Sequence, residues 1–260
     1  MNILEQLADH ARQRVASAAE RIPGEEMKAM AMAVPGPGFA FEKALRGNGL
    51  SLICECKKAS PSKGIISPDF PYLDIALEYQ AAGADALSVL TEPKWFLGRN
   101  EYLRQIASAV CIPCLRKDFT VDAYMLYEAR ALGASAALLI CALLDAETLK
   151  RFLDLCDSLE LSALVETHDE AEVRLAVAAG ARVIGVNNRS LKDFTVDTGN
   201  SRRLRDLVPA DRLFVSESGV RSGDDTRLLR SLGADAVLVG EALMRAPDKK
   251  AKVKELKEIR

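Results

Sequence analysis

Ionisable side chains gather at the ends of short apolar runs in this chain. Glu55 and Lys57 close the first run, and Lys117 stands between Arg116 and Asp118 at the end of a later one. Glu166 is followed by Thr167 and His168, Asn187 by Asn188 and Arg189, and Glu217 by Ser218 and Gly219. A lysine near a glutamate sets a proton donor beside a proton acceptor, the combination that general acid–base catalysis requires. Any one of these groups reads equally well as half of a satisfied internal ion pair. Five groups at the same end of successive runs do not, because a buried charge without a partner costs on the order of several kcal/mol. A polar reaction site relieves that cost at all of them together.

Other residues indicate what such a site would bind. Ser218 and Gly219, and Gly240 after a later run, offer backbone N–H groups of the kind that hold phosphate. Ser60 and Lys63 add a hydroxyl and a cation, so a small phosphorylated substrate is expected. For Gly240 alone a tight turn is the plainer reading. Trp95 and Phe96 read either as ordinary packing or as a stacking surface for a planar substrate. His10 and His168 read as solvated or satisfied histidines, since neither has metal-ligand spacing to a second histidine. Cys111-x-x-Cys114 has no second pair at ligand spacing, and no metal site is expected.

The elements that must carry these residues follow from a repeated phrase. A helical pattern ends in Gly-Ala and an apolar run follows at once, at Gly83, Gly133, Gly180 and Gly233. Glycine just past a helix permits the left-handed cap. The phrase recurs about every 50 residues, the length of two strand–helix units, so each interval hides another strand. The expected strands are 50–56, 86–90, 113–117, 136–140, 162–166, 183–186, 213–216 and 236–239. Helical spacing fills 73–82, 101–109, 121–132, 146–159, 170–179 and 224–232. Strict alternation implies parallel strands with right-handed crossovers. An open doubly wound sheet would carry G-x-G-x-x-G after its first strand, whereas residues 59–64 read Ala-Ser-Pro-Ser-Lys-Gly. The expected fold is therefore an α/β (β/α)8 TIM barrel with its chemistry at the C-terminal strand ends. It is read as a single domain over 1–260: an N-terminal helical extension at 1–47 acting as a lid on one barrel end, the barrel core at 48–245, and a C-terminal helix at 246–260. Glu55 and Lys57, two apart on a strand, project to the barrel mouth, and Cys54 and Cys56 project outward against helices.

The totals narrow the function classes. A formal charge of −2 without a run of Lys or Arg gives no basic stripe, so nucleic acid is not an expected partner. No apolar run approaches the roughly 18–20 residues that span a bilayer, and residues 1–10 lack a signal-peptide pattern. No membrane association and a cytoplasmic location are expected. The six cysteines are expected to be reduced, and the chain to be a monomer or weak homodimer.

The segment 53–64, Ile-Cys-Glu-Cys-Lys-Lys-Ala-Ser-Pro-Ser-Lys-Gly, closely resembles the first-strand signature of indole-3-glycerol-phosphate synthase. Segments 88–92, 115–119, 164–166, 185–189, 216–219 and 239–244 agree in order, so the similarity covers residues 40–245. Cysteines flank Glu55 where the family commonly has other apolar or acidic residues, and Trp95-Phe96-Leu97-Gly98-Arg99 replaces a usual Phe-Phe-x-Gly-Ser. The resemblance implies conversion of 1-(2-carboxyphenylamino)-1-deoxyribulose 5-phosphate to indole-3-glycerol phosphate, a decarboxylation and dehydration in tryptophan biosynthesis that uses no cofactor. It implies Lys117 as general acid, Glu166 as base, Lys57 on the substrate carboxylate and in the dehydration, and Glu55 and Asn187 orienting the lysines. Arg189 would face the carboxylate, Phe96 the substrate ring, and Ser60, Ser218, Gly219 and Gly240 the phosphate. Lysine acid chemistry is expected to need a cationic rim that lowers the lysine pKa. Two alternatives remain: a Schiff-base sugar-phosphate lyase or aldolase on the same barrel, and a non-catalytic phosphate-binding barrel.

Overall fold

Eight apolar runs of period-two character form eight parallel strands that close on themselves. The computed structural model describes residues 3–47, 49–190 and 194–258. The strands are β1 (Ser51–Cys56), β2 (Ala86–Leu90), β3 (Cys114–Lys117), β4 (Ala136–Ile140), β5 (Ser162–Thr167), β6 (Val183–Asn187), β7 (Leu213–Glu217) and β8 (Ala236–Val239). Each pairs with its neighbours in sequence, and β8 pairs with β1, which makes a closed (β/α)8 barrel. The expected strands lie within a residue or so of those observed.

Alternation along each strand divides the apolar residues in two. Ile53, Leu115, Leu138, Leu164, Val215 and Leu238 pack together inside the cylinder. Leu52, Leu87, Leu139, Val165, Ile184 and Val237 pack outward against the helices. Cys54 and Cys56 belong to the outer set, as their offset from Glu55 required. Cys114 is also buried and Cys111 is exposed, and all six cysteines are free.

The helices carry their own boundary signals. Asp122, Asp145, Asp169 and Ser222 accept hydrogen bonds from N–H groups in the first turns of α6 (Ala123–Ala131), α7 (Ala146–Ser158), α8 (Glu170–Ala179) and α10 (Gly223–Ser231). The four repeated glycines all take left-handed backbone angles, φ 99° at Gly83, 86° at Gly133, 91° at Gly180 and 79° at Gly233. Each ends its helix and turns the chain into the next strand.

The N-terminal extension is helical, and it does more than cover one barrel end. It forms three helices, α1 (Ile3–Arg21), α2 (Gly24–Ala33) and α3 (Ala40–Leu45), and these cover both barrel ends. Helix α1 lies over the C-terminal mouth, where Arg14 grips Asp118 with bonds of 2.6 and 3.0 Å. The Met-rich stretch is helix α2, which packs against α6 and buries Met27 and Ala31. Helix α3 plugs the opposite end: Phe41 and Leu45 enter the inner core, and the Glu42 N–H donates to Ser162 Oγ at the start of β5. The Glu42 carboxylate holds Arg182, before β6, at 3.0 Å. A short helix α9 (Gly199–Leu204) after β6, a five-residue helix α11 (Glu241–Arg245) after β8 and a two-stranded hairpin at Ala59–Ser60 and Gly64–Ile65 complete the mouth. The C-terminal helix is α12 (Lys249–Lys257). Among the described residues no helix is long and apolar enough to cross a membrane.

Candidate active site

Strand register decides which ionisable groups meet. Lys117 pairs with Leu90 across β2 and β3, Glu166 with Ile140 and Gly185, and Glu217 with Asn187 and Leu238. The inward-facing residue at the top of each odd strand is therefore ionisable: Glu55, Lys117, Glu166 and Glu217. They surround a cavity of about 350 Å³ at the C-terminal mouth, whose wall includes Glu55, Lys57, Ser60, Phe96, Lys117, Glu166, Asn187, Arg189, Ser218, Gly219 and Gly240. Those eleven residues, all expected from sequence, lie on this one cavity. Ile3, Leu4 and Leu7 of α1 close its outer side. Lys63 is not in the wall; its ammonium lies 3.5 Å from Glu241 at the rim.

Lys117 Nζ donates to Glu166 Oε2 at 3.0 Å and lies 3.9 Å from Glu217 Oε2. Lys57 Nζ donates to Glu55 Oε1 at 2.5 Å. The rim facing Lys117 is thus anionic, which corrects the expectation of a cationic one. Burial alone would lower the Lys117 pKa, but Glu166, Glu217 and Glu55 outweigh it and raise it. Burial likewise opposes ionisation of Glu166, yet Lys117 and His168 hold it well below the usual carboxylate range.

Glu217 was not among the expected site residues. Burial first, and then the negative charge of Glu166, push its pKa up to about 8. Its Oε1 is buried and has no hydrogen-bond partner among the described residues. Sequence offered only its place at a strand end, because its partners come from β3 and β5. Two glycines make room for these heads. A Cβ at Gly185 would collide with the Glu217 carboxylate, and one at Gly240 with Glu55 and Lys57. Gly240 has φ −117°, so proximity rather than a left-handed turn requires glycine there.

The remaining expected residues divide by what they touch. Asn187 Oδ1 accepts from the Arg189 N–H at 2.9 Å and shapes that loop, so it does not orient a lysine as expected. The Arg189 guanidinium donates to Phe194 O at 3.1 Å and lies 3.8 Å from Glu241. Ser218 and Gly219 have φ 66° and 90°, an arrangement that turns successive N–H groups toward one concavity. Asn188 Nδ2 holds the loop by donating to Ser218 O at 3.0 Å. Arg116 faces away from the mouth, buried, and donates to Glu128 at 2.6 Å and Met125 O at 2.9 Å.

The two loop aromatics separate. Phe96 lines the cavity with its ring 6.0 Å from that of Phe119, whereas Trp95 packs edge-on against His10 of α1 at 5.4 Å. Glu92 sets this loop by accepting from the N–H groups of Lys94, Trp95 and Phe96 at 2.8 to 3.0 Å. His10 Nδ1 lies 3.2 Å from Glu92, the satisfied histidine that was expected. His168 Nδ1 lies 3.1 Å from Glu172, whereas Nε2, buried and without a hydrogen-bond partner among the described residues, lies 3.4 Å from Glu166 Oε1.

This constellation combines a proton donor, a proton acceptor and an anion loop around a partly apolar cavity, and comparison with known proteins specifies its chemistry. A family model for indole-3-glycerol phosphate synthase matches residues 4–256. The chain is 58% identical over 219 residues to the indole-3-glycerol phosphate synthase of Ruminiclostridium cellulolyticum, covering 84% of each chain. It is 45% identical over 269 residues to that of Lachnoclostridium phytofermentans, covering 99% of each, and 49% identical over 258 residues to that of Lactiplantibacillus plantarum, covering 98% of each. Among solved structures, 3-hexulose-6-phosphate synthase from Salmonella typhimurium superposes with a TM-score of 0.66 at 16% identity over 81% of this chain and 98% of that one, a likeness of fold alone. With its barrel, its rim of lysines and glutamates and its near full-length similarity to these synthases, the chain belongs to the indole-3-glycerol phosphate synthase family.

Proposed function

We propose that Lys117 and Glu166 are the acid and base that convert 1-(2-carboxyphenylamino)-1-deoxyribulose 5-phosphate to indole-3-glycerol phosphate, with Lys57 as the second acid. The observation that carries this reading is the 3.0 Å contact between Lys117 and Glu166 on the wall of the cavity that also holds the Ser218–Gly219 loop. The phosphate is bound by Ser60 and by the N–H groups of Ser218, Gly219 and Gly240. The carboxylate-bearing ring lies against Phe96, with its charge toward Lys57 and Arg189. Binding energy from the phosphate fixes the reacting carbons at bonding distance.

The ring carbon that bears the carboxylate then attacks the ketone carbon, and Lys117 Nζ gives its proton to the ketone oxygen. Carbon dioxide leaves without the electron pair of its bond, which returns to the ring and restores aromaticity. Lys57 protonates the resulting hydroxyl, which departs as water. Glu166 removes a proton from the methylene carbon next to nitrogen, closing the indole double bond. Two protons enter the substrate and one leaves, so each turnover takes up one proton as a carboxylate departs as neutral carbon dioxide. Glu166 returns its proton to Lys117 across their hydrogen bond, and solvent reprotonates Lys57. Every proton is handled by a side chain of the cavity, so the scheme draws on no cofactor.

A Schiff base requires a neutral amine, and the carboxylates beside Lys117 favour its ammonium form, which argues against that alternative. The test is the fluorescence of indole-3-glycerol phosphate formed from the synthetic substrate. Lys117→Met and Glu166→Gln are each expected to lose about 10²–10⁴ in kcat, and borohydride to trap no adduct. Substantial turnover by purified Lys117→Met overturns the reading.

A further inference from the structure

His168 lies two residues beyond Glu166, on the same side of the extended chain, where β5 gives way to α8. One oxygen of Glu172 fixes both its backbone and its ring: the His168 N–H donates to Glu172 Oε2 at 2.8 Å, and Nδ1 lies 3.1 Å from the same atom. Asn200 of α9 donates to the His168 carbonyl at 3.0 Å. The pinned ring directs Nε2, which is buried and has no hydrogen-bond partner among the described residues, to an ion-pair distance of 3.4 Å from Glu166 Oε1. That is the oxygen Lys117 leaves unengaged, since Lys117 donates to Oε2.

From this geometry we propose that His168, braced by Glu172, is a positioning residue for the reaction: it holds the second carboxylate oxygen of Glu166 opposite Lys117. The proposal rests on the reading of Glu166 as base. A ring that faces a carboxylate at each nitrogen satisfies both only as the imidazolium, with two N–H donors. In accord with this, and against the lowering effect of burial, the carboxylates of Glu166 and Glu172 raise the His168 pKa to about 10. The other groups nearby do not cancel that charge. Asp169, the N-cap of α8, adds a further negative charge, the thiol of Cys141 after β4 is pushed up to about 12 by burial and is neutral, and Glu217 beyond Glu166 carries no positive charge in either form.

The consequence is an ordered change in basicity. While Lys117 keeps its proton, Glu166 lies between two cations and is a weak base. Once Lys117 has protonated the ketone, one cation is gone and Glu166 becomes more basic for the later deprotonation. The His168 charge keeps the carboxylate ionised and oriented in the interval.

The chain has two histidines, so nitrogen NMR of the ring-labelled full-length protein, with His10→Gln to assign the signals, reads His168 directly. The expected result is an imidazolium that persists to about pH 9 in the unaltered protein and titrates nearer an ordinary histidine in Glu172→Gln. His168→Gln is expected to lower kcat by about tenfold or more, to leave KM within about twofold, and to move the acidic limb of kcat to higher pH, because removing a cation raises the Glu166 pKa. A neutral His168 ring at pH 8 in the unaltered protein, or a His168→Gln pH profile superimposable on the parent, overturns the proposal. If that superposition occurs while Glu166→Gln is inactive, the His168 role alone falls. An active Glu166→Gln removes the base assignment and this role with it.

Discussion

Folding raises the pKa of the Glu217 carboxyl group, and that has a consequence beyond the reaction. An unfolded glutamate gives up its proton near the ordinary value of 4.5, whereas the folded group holds it to about 8. Between those limits the native state binds a proton that the unfolded chain has lost. The stability contributed by this group is therefore fully present below the lower value and is lost as pH rises through the higher one. Glu217→Gln cannot titrate. Its melting temperature is expected to fall less than that of the parent between pH 5 and pH 8, as followed by circular dichroism. Equal pH dependence in the two proteins would show that Glu217 is ionised in the folded state.

At the scale of elements, the strand ends need small residues where their neighbours carry long polar ones. Gly240→Ala places a methyl group against the heads of Glu55 and Lys57 without backbone strain, since its φ is −117°. Overpacking of this kind costs about 1–3 kcal/mol if nothing moves, and the cheaper response is displacement of the Glu55–Lys57 pair. The substitution is expected to lower kcat/KM by about tenfold or more while shifting the melting temperature by only a few degrees, and unchanged kinetics would overturn that account. Strands and outer helices were legible in sequence because each carries its signal locally: period-two runs, Asp or Ser caps, and glycine at the left-handed exits. Helix α9 and the hairpin after β1 were not, because bonds across their own loops, rather than a residue period or a side-chain cap, hold them. Ser201 of α9 donates to Asn188 Oδ1 at 2.9 Å, and the Ile66 N–H donates to Lys58 O at 2.8 Å. Within the site, Lys117, Glu166, Glu55 and Lys57 could be read from their positions at strand ends. Glu217 and His168 could not be ranked, since the first depends on neighbours 51 and 100 positions away and the second on a ring orientation set by Glu172 of α8.

The whole molecule assigns different work to its two ends, in the usual division of a barrel into a reactive top and a stabilising bottom. Helices α1 and α3 both precede β1 in sequence, yet they close opposite openings of the same cylinder. On the bottom, Glu42→Ala removes the carboxylate that binds Arg182 through both oxygens and leaves the arginine only Asp157, at 2.7 Å. A lost partly buried pair of this kind costs about 1–3 kcal/mol, so the melting temperature is expected to drop by several degrees with kcat and KM unchanged. On the top, Arg14→Ala frees α1 from Asp118, a buried carboxylate that then keeps Thr91 at 2.6 Å and Arg116 at 3.5 Å. Asp118 directly follows Lys117, and α1 supplies Ile3, Leu4 and Leu7 to the cavity wall. Arg14→Ala is therefore expected to lower both melting temperature and kcat/KM, the second because the apolar wall over the substrate ring no longer excludes water. Thermal melts and steady-state kinetics on the two variants separate the roles: a catalytic defect in Glu42→Ala, or none in Arg14→Ala, would mean that the ends of the barrel are not divided in this way.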